Sequence, residues 1–137
     1  MSKVKRFGVS LEEDLLKALD GLVKTHNFPN RSQAVRFLIR NIMVKDMWQN
    51  NKEVAGCVVL IYDHHRPDLL NKSTSLQHMY QSLILSVQHV HLDHHNCLEI
   101  IALKGKAMKL RELGDKLIAL KGIKHGQLVT SGVDSPK

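Results

Sequence analysis

A chain of 137 residues, 43% of them hydrophobic, is long enough to bury one ordinary core or two small ones, and no segment of it is low in complexity. The formal charge of +7 is spread over both halves and favours a polyanionic partner, although a charged surface also serves solubility. No apolar run is long enough to span a bilayer and no secretory signal follows Met1-Ser2-Lys3, so a soluble cytoplasmic protein with no membrane partner is expected; in a reducing compartment Cys57 and Cys97 read as a metal-binding or small buried thiol rather than a disulfide.

Residues 5–11 alternate strictly, with Phe7, Val9 and Leu11 on one side and Arg6, Gly8 and Ser10 on the other, which predicts a short half-buried strand. Ser10 followed by Glu13 forms a capping box, opening a helix whose Leu15, Leu16, Leu19, Leu22 and Val23 follow helical spacing up to the breaker cluster Asn27-Phe28-Pro29-Asn30. A second helix begins near Asn30 to Ser32 and carries Ala34, Val35, Leu38, Ile39, Ile42 and Met43 to about Trp48. This unit cannot close its own core and its strand lacks a partner, so it is expected to dimerise through a two-stranded ribbon that points Arg6, Gly8 and Ser10 outward. Such a ribbon fits the major groove of DNA, where Arg6 can meet guanine and Ser10 a base edge, while Asn30, Arg31 and Ser32 offer backbone N–H groups, a guanidinium and a hydroxyl to a phosphate. A plain dimerisation module with solvated Arg6 and Ser10 is the bland alternative.

The polar stretch Gln49 to Glu53 reads as a linker, which divides the chain into domains 1–50 and 51–137. Val54 to Tyr62 predicts a strand buried on both faces, and Pro67 opens a segment to about Tyr80 that is helical or partly ordered. Leu83 to Leu92 and Cys97 to Leu103 predict two more strands, Lys106 to Leu120 an amphipathic helix, and Ile123 to Thr130 a last strand, with a loose tail from Ser131. The order β-α-β-β-α-β is that of the ferredoxin-like split unit, so the whole chain is of the α+β class.

His89 and His91 stand two apart and so project from one face of their strand, and a turn over Asp93-His94-His95-Asn96 carries Cys97 back toward the same spot. A thiolate with two imidazoles suits a transition metal, and His78 is the candidate fourth ligand. Exposed polar histidines are the bland reading of such a pair. Glu99 shares the strand face of Cys97 and is a candidate acceptor that orients a ligand, against an ordinary solvated carboxylate; Tyr62 alone reads as a core aromatic with a wet hydroxyl. His64, His65, His94 and His95 read as surface histidines, with weak secondary metal binding as a minor role.

Taken together, Arg6-Phe7-Gly8-Val9-Ser10-Leu11, Glu12-Glu13-Asp14-Leu15-Leu16 and Asn30-Arg31-Ser32-Gln33-Ala34-Val35-Arg36 resemble a ribbon-helix-helix repressor. Ile61-Tyr62-Asp63-His64-His65, Gln77-His78, His89-Val90-His91-Leu92 and Asn96-Cys97-Leu98-Glu99 resemble the regulatory domain of the nickel-responsive NikR family. That resemblance implies an ACT-like C-terminal domain that assembles a homotetramer, a dimer of dimers, flanked by two DNA-binding dimers. It implies one Ni(II) per subunit at the tetramer interface, held in a square plane by His89, His91 and Cys97 of one subunit and His78 of another, with Tyr62 packed near the metal loop. Zinc would ask for a tetrahedron, whereas Cu(II) suits the same donors.

The implied function is a nickel-responsive repressor of nickel uptake, binding a pseudo-palindromic double-stranded operator when metal orders the segment His64 to Tyr80. Three departures from the family pattern stand out. Gly8 replaces a common β-branched hydroxyl residue on the base-reading face; Gln33 and Phe37 replace residues that are acidic in some members and help hold a second cation; Pro67 replaces a position that can be basic, leaving Arg66 and Lys121 as candidates for backbone contacts. No deaminase, phosphate-loop or nucleophile-elbow motif is present, so no enzyme is expected. The rival readings are a metal-storage or delivery protein and an ACT-domain repressor that senses an amino acid.

Overall fold

The computed structural model describes residues 2–133; the end of the expected loose tail, from Asp134 onward, lies outside the described residues. The chain divides into two compact units, one up to Ile42 and one from Met43.

The first unit holds α1 (Glu13–Thr25) and most of α2 (Arg31–Gln49). The expected capping box does not form: α1 is preceded by Glu12 at the N-cap with no side-chain bond to the helix. Ser10 lies two residues too early to reach the first free amides, and Glu13 and Asp14 meet the positive end of the helix instead. Asn27 turns the chain after α1 with φ 55°, and the Asn30 side-chain oxygen caps α2 by accepting from the Gln33 amide at 2.9 Å. Phe28 and Phe37 pack at 5.3 Å between ring centroids, with His26 against each, so Phe37 serves the unit as an apolar contact.

The strand expected over residues 5–11 is absent in the single chain: residues 2–12 have no regular structure and are exposed. A lone strand has no neighbour to accept its ladder bonds, so nothing holds it extended. Within this unit Ala34 is buried, while Val9, Leu15, Ile39 and Ile42 are exposed.

The second unit builds β1 (Glu53–Tyr62), α3 (Pro67–Met79), a short 3₁₀ turn (Gln81–Leu83), β2 (Ile84–His91), β3 (Cys97–Lys106), α4 (Ala107–Ile118) and β4 (Ile123–Ser131). The four strands are all antiparallel in the order β2-β3-β1-β4, the ferredoxin-like arrangement, with Ser131 belonging to β4 rather than to the tail. Leu110, Leu113 and Leu117 of α4 and Leu69 of α3 are buried against Val58, Leu60, Ile101 and Leu103 of the sheet. Gly114 of α4 faces the sheet, where a Cβ would meet Val58 at 3.5 Å and Leu128 at 3.6 Å in ordinary van der Waals contact.

β1 is not buried on both faces as its unbroken apolar run suggests. Val54, Val58, Leu60 and Tyr62 are buried, whereas Cys57, Val59 and Ile61 on the other face are only half-buried. Both helices cover one side of the sheet, leaving Leu98 and Ile100 of β3 beside those residues on the open side.

Candidate metal centre

Register places the predicted ligands. Cys97, first residue of β3, pairs with His91 on β2 and with Tyr62 on β1; Glu99, two residues on, pairs with His89 and with Leu60. Because strand side chains alternate, His89, His91, Cys97, Glu99 and Tyr62 all lie on the helix-covered side of the sheet. β2 is an edge strand, so the His89 side chain is 54% exposed, whereas Cys97 is buried with its Sγ 3.7 Å from the Leu98 carbonyl oxygen.

Glu99 is the best-anchored group of the site. Its carboxylate is buried and accepts from the Tyr62 hydroxyl at one oxygen and from Gln77 Nε2 at 2.8 Å at the other. The same oxygen that Tyr62 reaches lies 3.9 Å from His89 Nδ1, and the Tyr62 hydroxyl lies 3.4 Å from that nitrogen. Burial, then the bond to Glu99, pushes the Tyr62 phenol well above its ordinary range, so it stays a proton donor. Glu99 is therefore not a solvated carboxylate. Gln77, which sequence reasoning noted only as the neighbour of His78, also donates to Ser73 Oγ at 3.1 Å; the i, i+4 spacing of Ser73 and Gln77 on α3 was the available signal.

His78 is exposed near the C-terminal end of α3. Among the described residues, the group of three whose donor atoms all lie within 4.8 Å of one another is Asp63, His65 and His95, not the predicted set. The donors His89, His91 and Cys97 share a face and register, which fits a metal, without being drawn into one cluster in the single chain. His64 stacks on His91 with ring centroids 4.4 Å apart, and its buried Nδ1 has no hydrogen-bond partner.

The residues expected at DNA are distributed differently. Arg6, Gly8 and Ser10 are exposed on the irregular segment, and Ser32 is exposed at the start of α2. Asn30 uses its side-chain oxygen as the α2 cap. Arg31 is not free to meet a phosphate: its Nε and Nη2 donate to the two oxygens of Asp20 at 2.7 and 2.9 Å, and that fork holds the Asp20 carboxyl below its ordinary range. Arg66 sits just before α3 with its guanidinium 3.6 Å from the Asp68 carboxylate and close over Gly122.

Residues 55–131 match the family profile described as the NikR C terminal nickel binding domain, and residues 5–42 match that of the ribbon-helix-helix protein, copG family. A protein of Syntrophus aciditrophicus named as a nickel-responsive regulator is 50% identical over 133 residues, covering 97% of each chain. One from Pyrococcus furiosus, similarly named, is 45% identical over 96% of this chain and 97% of its own. Among solved structures, an uncharacterized protein, TM1266, from Thermotoga maritima superposes with a TM-score of 0.52 at 15% identity, covering 58% of this chain and 98% of that one, a likeness of fold alone.

Proposed function

The chain belongs to the family of nickel-responsive regulators that join a ribbon-helix-helix domain to a NikR C-terminal domain, and is a DNA-binding regulator rather than an enzyme; from that premise we propose that it is a cytoplasmic repressor of nickel uptake that binds a pseudo-palindromic operator when it holds nickel. Residues 1–50 would read DNA as a dimer, and residues 51–137 would bind metal and assemble a tetramer, a dimer of dimers. No helix among the described residues is long and apolar enough to cross a membrane.

The observation that carries the reading is the register of β2 and β3, which sets His91 beside Cys97 and His89 beside the anchored Glu99 on one face. These residues would hold one Ni(II) per subunit, with the exposed His78 contributed by another subunit. Bound there, nickel would supply a bond between subunits that neither makes alone. The Tyr62 hydroxyl, held by Glu99, would fix the His89 ring through Nδ1, leaving the other ring nitrogen to face the ion. Tyr62 and Gln77 hold Glu99 still, and Gln77 ties α3, and with it His78, to the same carboxylate.

The exposed apolar residues of the first unit support its pairing with a second copy, in which residues 5–11 would become a ribbon strand and place Arg6, Gly8 and Ser10 toward base edges. Asn30, Ser32 and Arg66 would meet the backbone, and Arg31 would do so on exchanging Asp20 for a phosphate. The open side of the sheet, with Ile61, Leu98 and Ile100 half-buried, is the surface a further copy would cover.

Operator affinity measured at fixed salt with and without nickel tests the reading. A rise with nickel of about 5- to 150-fold, the range of ordinary coupling between sites, is expected; equal affinities overturn it. Arg6→Ala should abolish sequence-specific binding and keep the metal, while Cys97→Ala should keep DNA binding and lose the nickel response. A storage protein would show no operator binding to lose.

A further inference from the structure

The tripeptide Asp-His-His occurs twice, at Asp63-His64-His65 and at Asp93-His94-His95. Each folds the same way: Asp63 accepts from the His65 amide at 2.9 Å, and Asp93 from the His95 amide at 2.8 Å. The first turn follows the end of β1 and the second precedes the start of β3. Because Tyr62 and Cys97 are register partners, the sheet brings both turns to one end. His65 lies 5.4 Å from His94 and 5.9 Å from His95 between ring centroids.

From this juxtaposition we propose that Asp63, His65 and His95 form a second metal site, separate from the Cys97 centre, that takes a divalent transition cation through two imidazoles and a carboxylate, with water completing the shell.

The chemistry suits such an ion. Imidazole binds nickel, copper and zinc alike, and the absence of a thiolate separates this site from the one on the sheet. Donor atoms already within 4.8 Å of one another need to close by at most about 1–2 Å to reach the edge length set by metal–ligand bonds of about 2.0–2.2 Å, which exposed side chains can do by rotating. His65 Nδ1 is 3.0 Å from Asp63 Oδ1, an edge that one ion can bridge when the imidazole nitrogen is unprotonated, the cation taking the place of the proton between them.

The second turn is stiffened rather than used up. Asp93 accepts from both the backbone and the side chain of Asn96 as well as from His95, so its carboxylate fixes the loop and leaves the His95 ring to bind. Lys124 donates to Asn96 Oδ1 at 2.6 Å and ties the loop to β4.

Equilibrium dialysis of the full-length, tag-free protein against nickel chloride, with metal counted per subunit, tests the proposal. Wild type should bind two ions per subunit. His65→Ala/His95→Ala should bind one and keep the thiolate-to-nickel charge-transfer absorption, while Cys97→Ala should bind one that lacks it. Asp63→Asn, which preserves the turn, should also lose the second ion. Two ions retained by His65→Ala/His95→Ala, or a wild type that never exceeds one, overturns the site. Loss of both ions in His65→Ala/His95→Ala with an unchanged melting temperature overturns its independence. The regulatory centre is judged by Cys97→Ala and this site by the histidine pair, so each fails by itself.

Discussion

At the scale of single residues, Glu99 carries more than its charge. Truncating it would take the carboxylate from the Tyr62 hydroxyl, leaving it only His89 Nδ1 at 3.4 Å, and from Gln77 Nε2, leaving it only Ser73 Oγ, at up to about 1–3 kcal/mol for each weakened group. Glu99→Ala is therefore expected to lower the denaturant midpoint and to weaken nickel binding by about 10- to 100-fold, through lost orientation of His89; a variant with wild-type nickel affinity would remove Glu99 from the site. Asp93 makes a pH-dependent contribution of definite sign. Its carboxyl is held below the ordinary value of 3.8, first by the Asn96 side chain and then by the His95 amide, so the ionised form favours the folded loop. That stability is complete above the ordinary value and disappears as the pH falls through the lower native one. In acid unfolding followed by circular dichroism, Asp93→Asn should flatten this limb; an unchanged profile would count against it.

At the scale of elements, the N-terminal segment makes its own prediction. Residues 5–11 alternate like a strand yet stay irregular in one chain, so the ribbon proposed for them would take its ladder from a second. Val9→Pro would remove a ladder donor and should abolish dimerisation of the first unit and operator binding while leaving nickel stoichiometry intact, as sedimentation and metal analysis would record.

The same segment shows what a sequence can carry. Alternation announces a strand but cannot supply its neighbour, whereas β2 and β3 were legible with their register because one turn joins them. The capping box failed on two residues of offset, a quantity that motif spacing does not fix. β1 looked doubly buried because an apolar run does not say whether its second cover comes from the same chain. The candidate site was legible as His89, His91 and Cys97 through the two-residue period of strands. The i, i+4 spacing of Ser73 and Gln77 marks their own contact but not the reach of Gln77 to Glu99, and the trio Asp63, His65 and His95 carried no mark at all, since α3 and the two turns meet these partners only through tertiary contacts.

At the scale of the whole molecule, the charge of +7 acts on association rather than on folding. Raising salt from about 50 to 200 mM should weaken operator binding steeply, with a log–log slope of about −0.9 for each phosphate contact. Neutralising Arg66 should shallow the slope by about one unit in fluorescence anisotropy titrations, whereas removing nickel should lower affinity without a matching change in slope; an Arg66→Ala slope equal to wild type would take that residue off the DNA backbone.

β2 borders the sheet and has a hydrogen-bonded neighbour on one side only. In an antiparallel ladder every second amide of such a strand points away from its neighbour, so those protons trade with deuterium quickly unless something covers them. Isotope uptake across Ile84–His91 would thus gauge the proposed occupancy, slowing if an ion and an adjoining subunit clamp the rim and quickening if either departs.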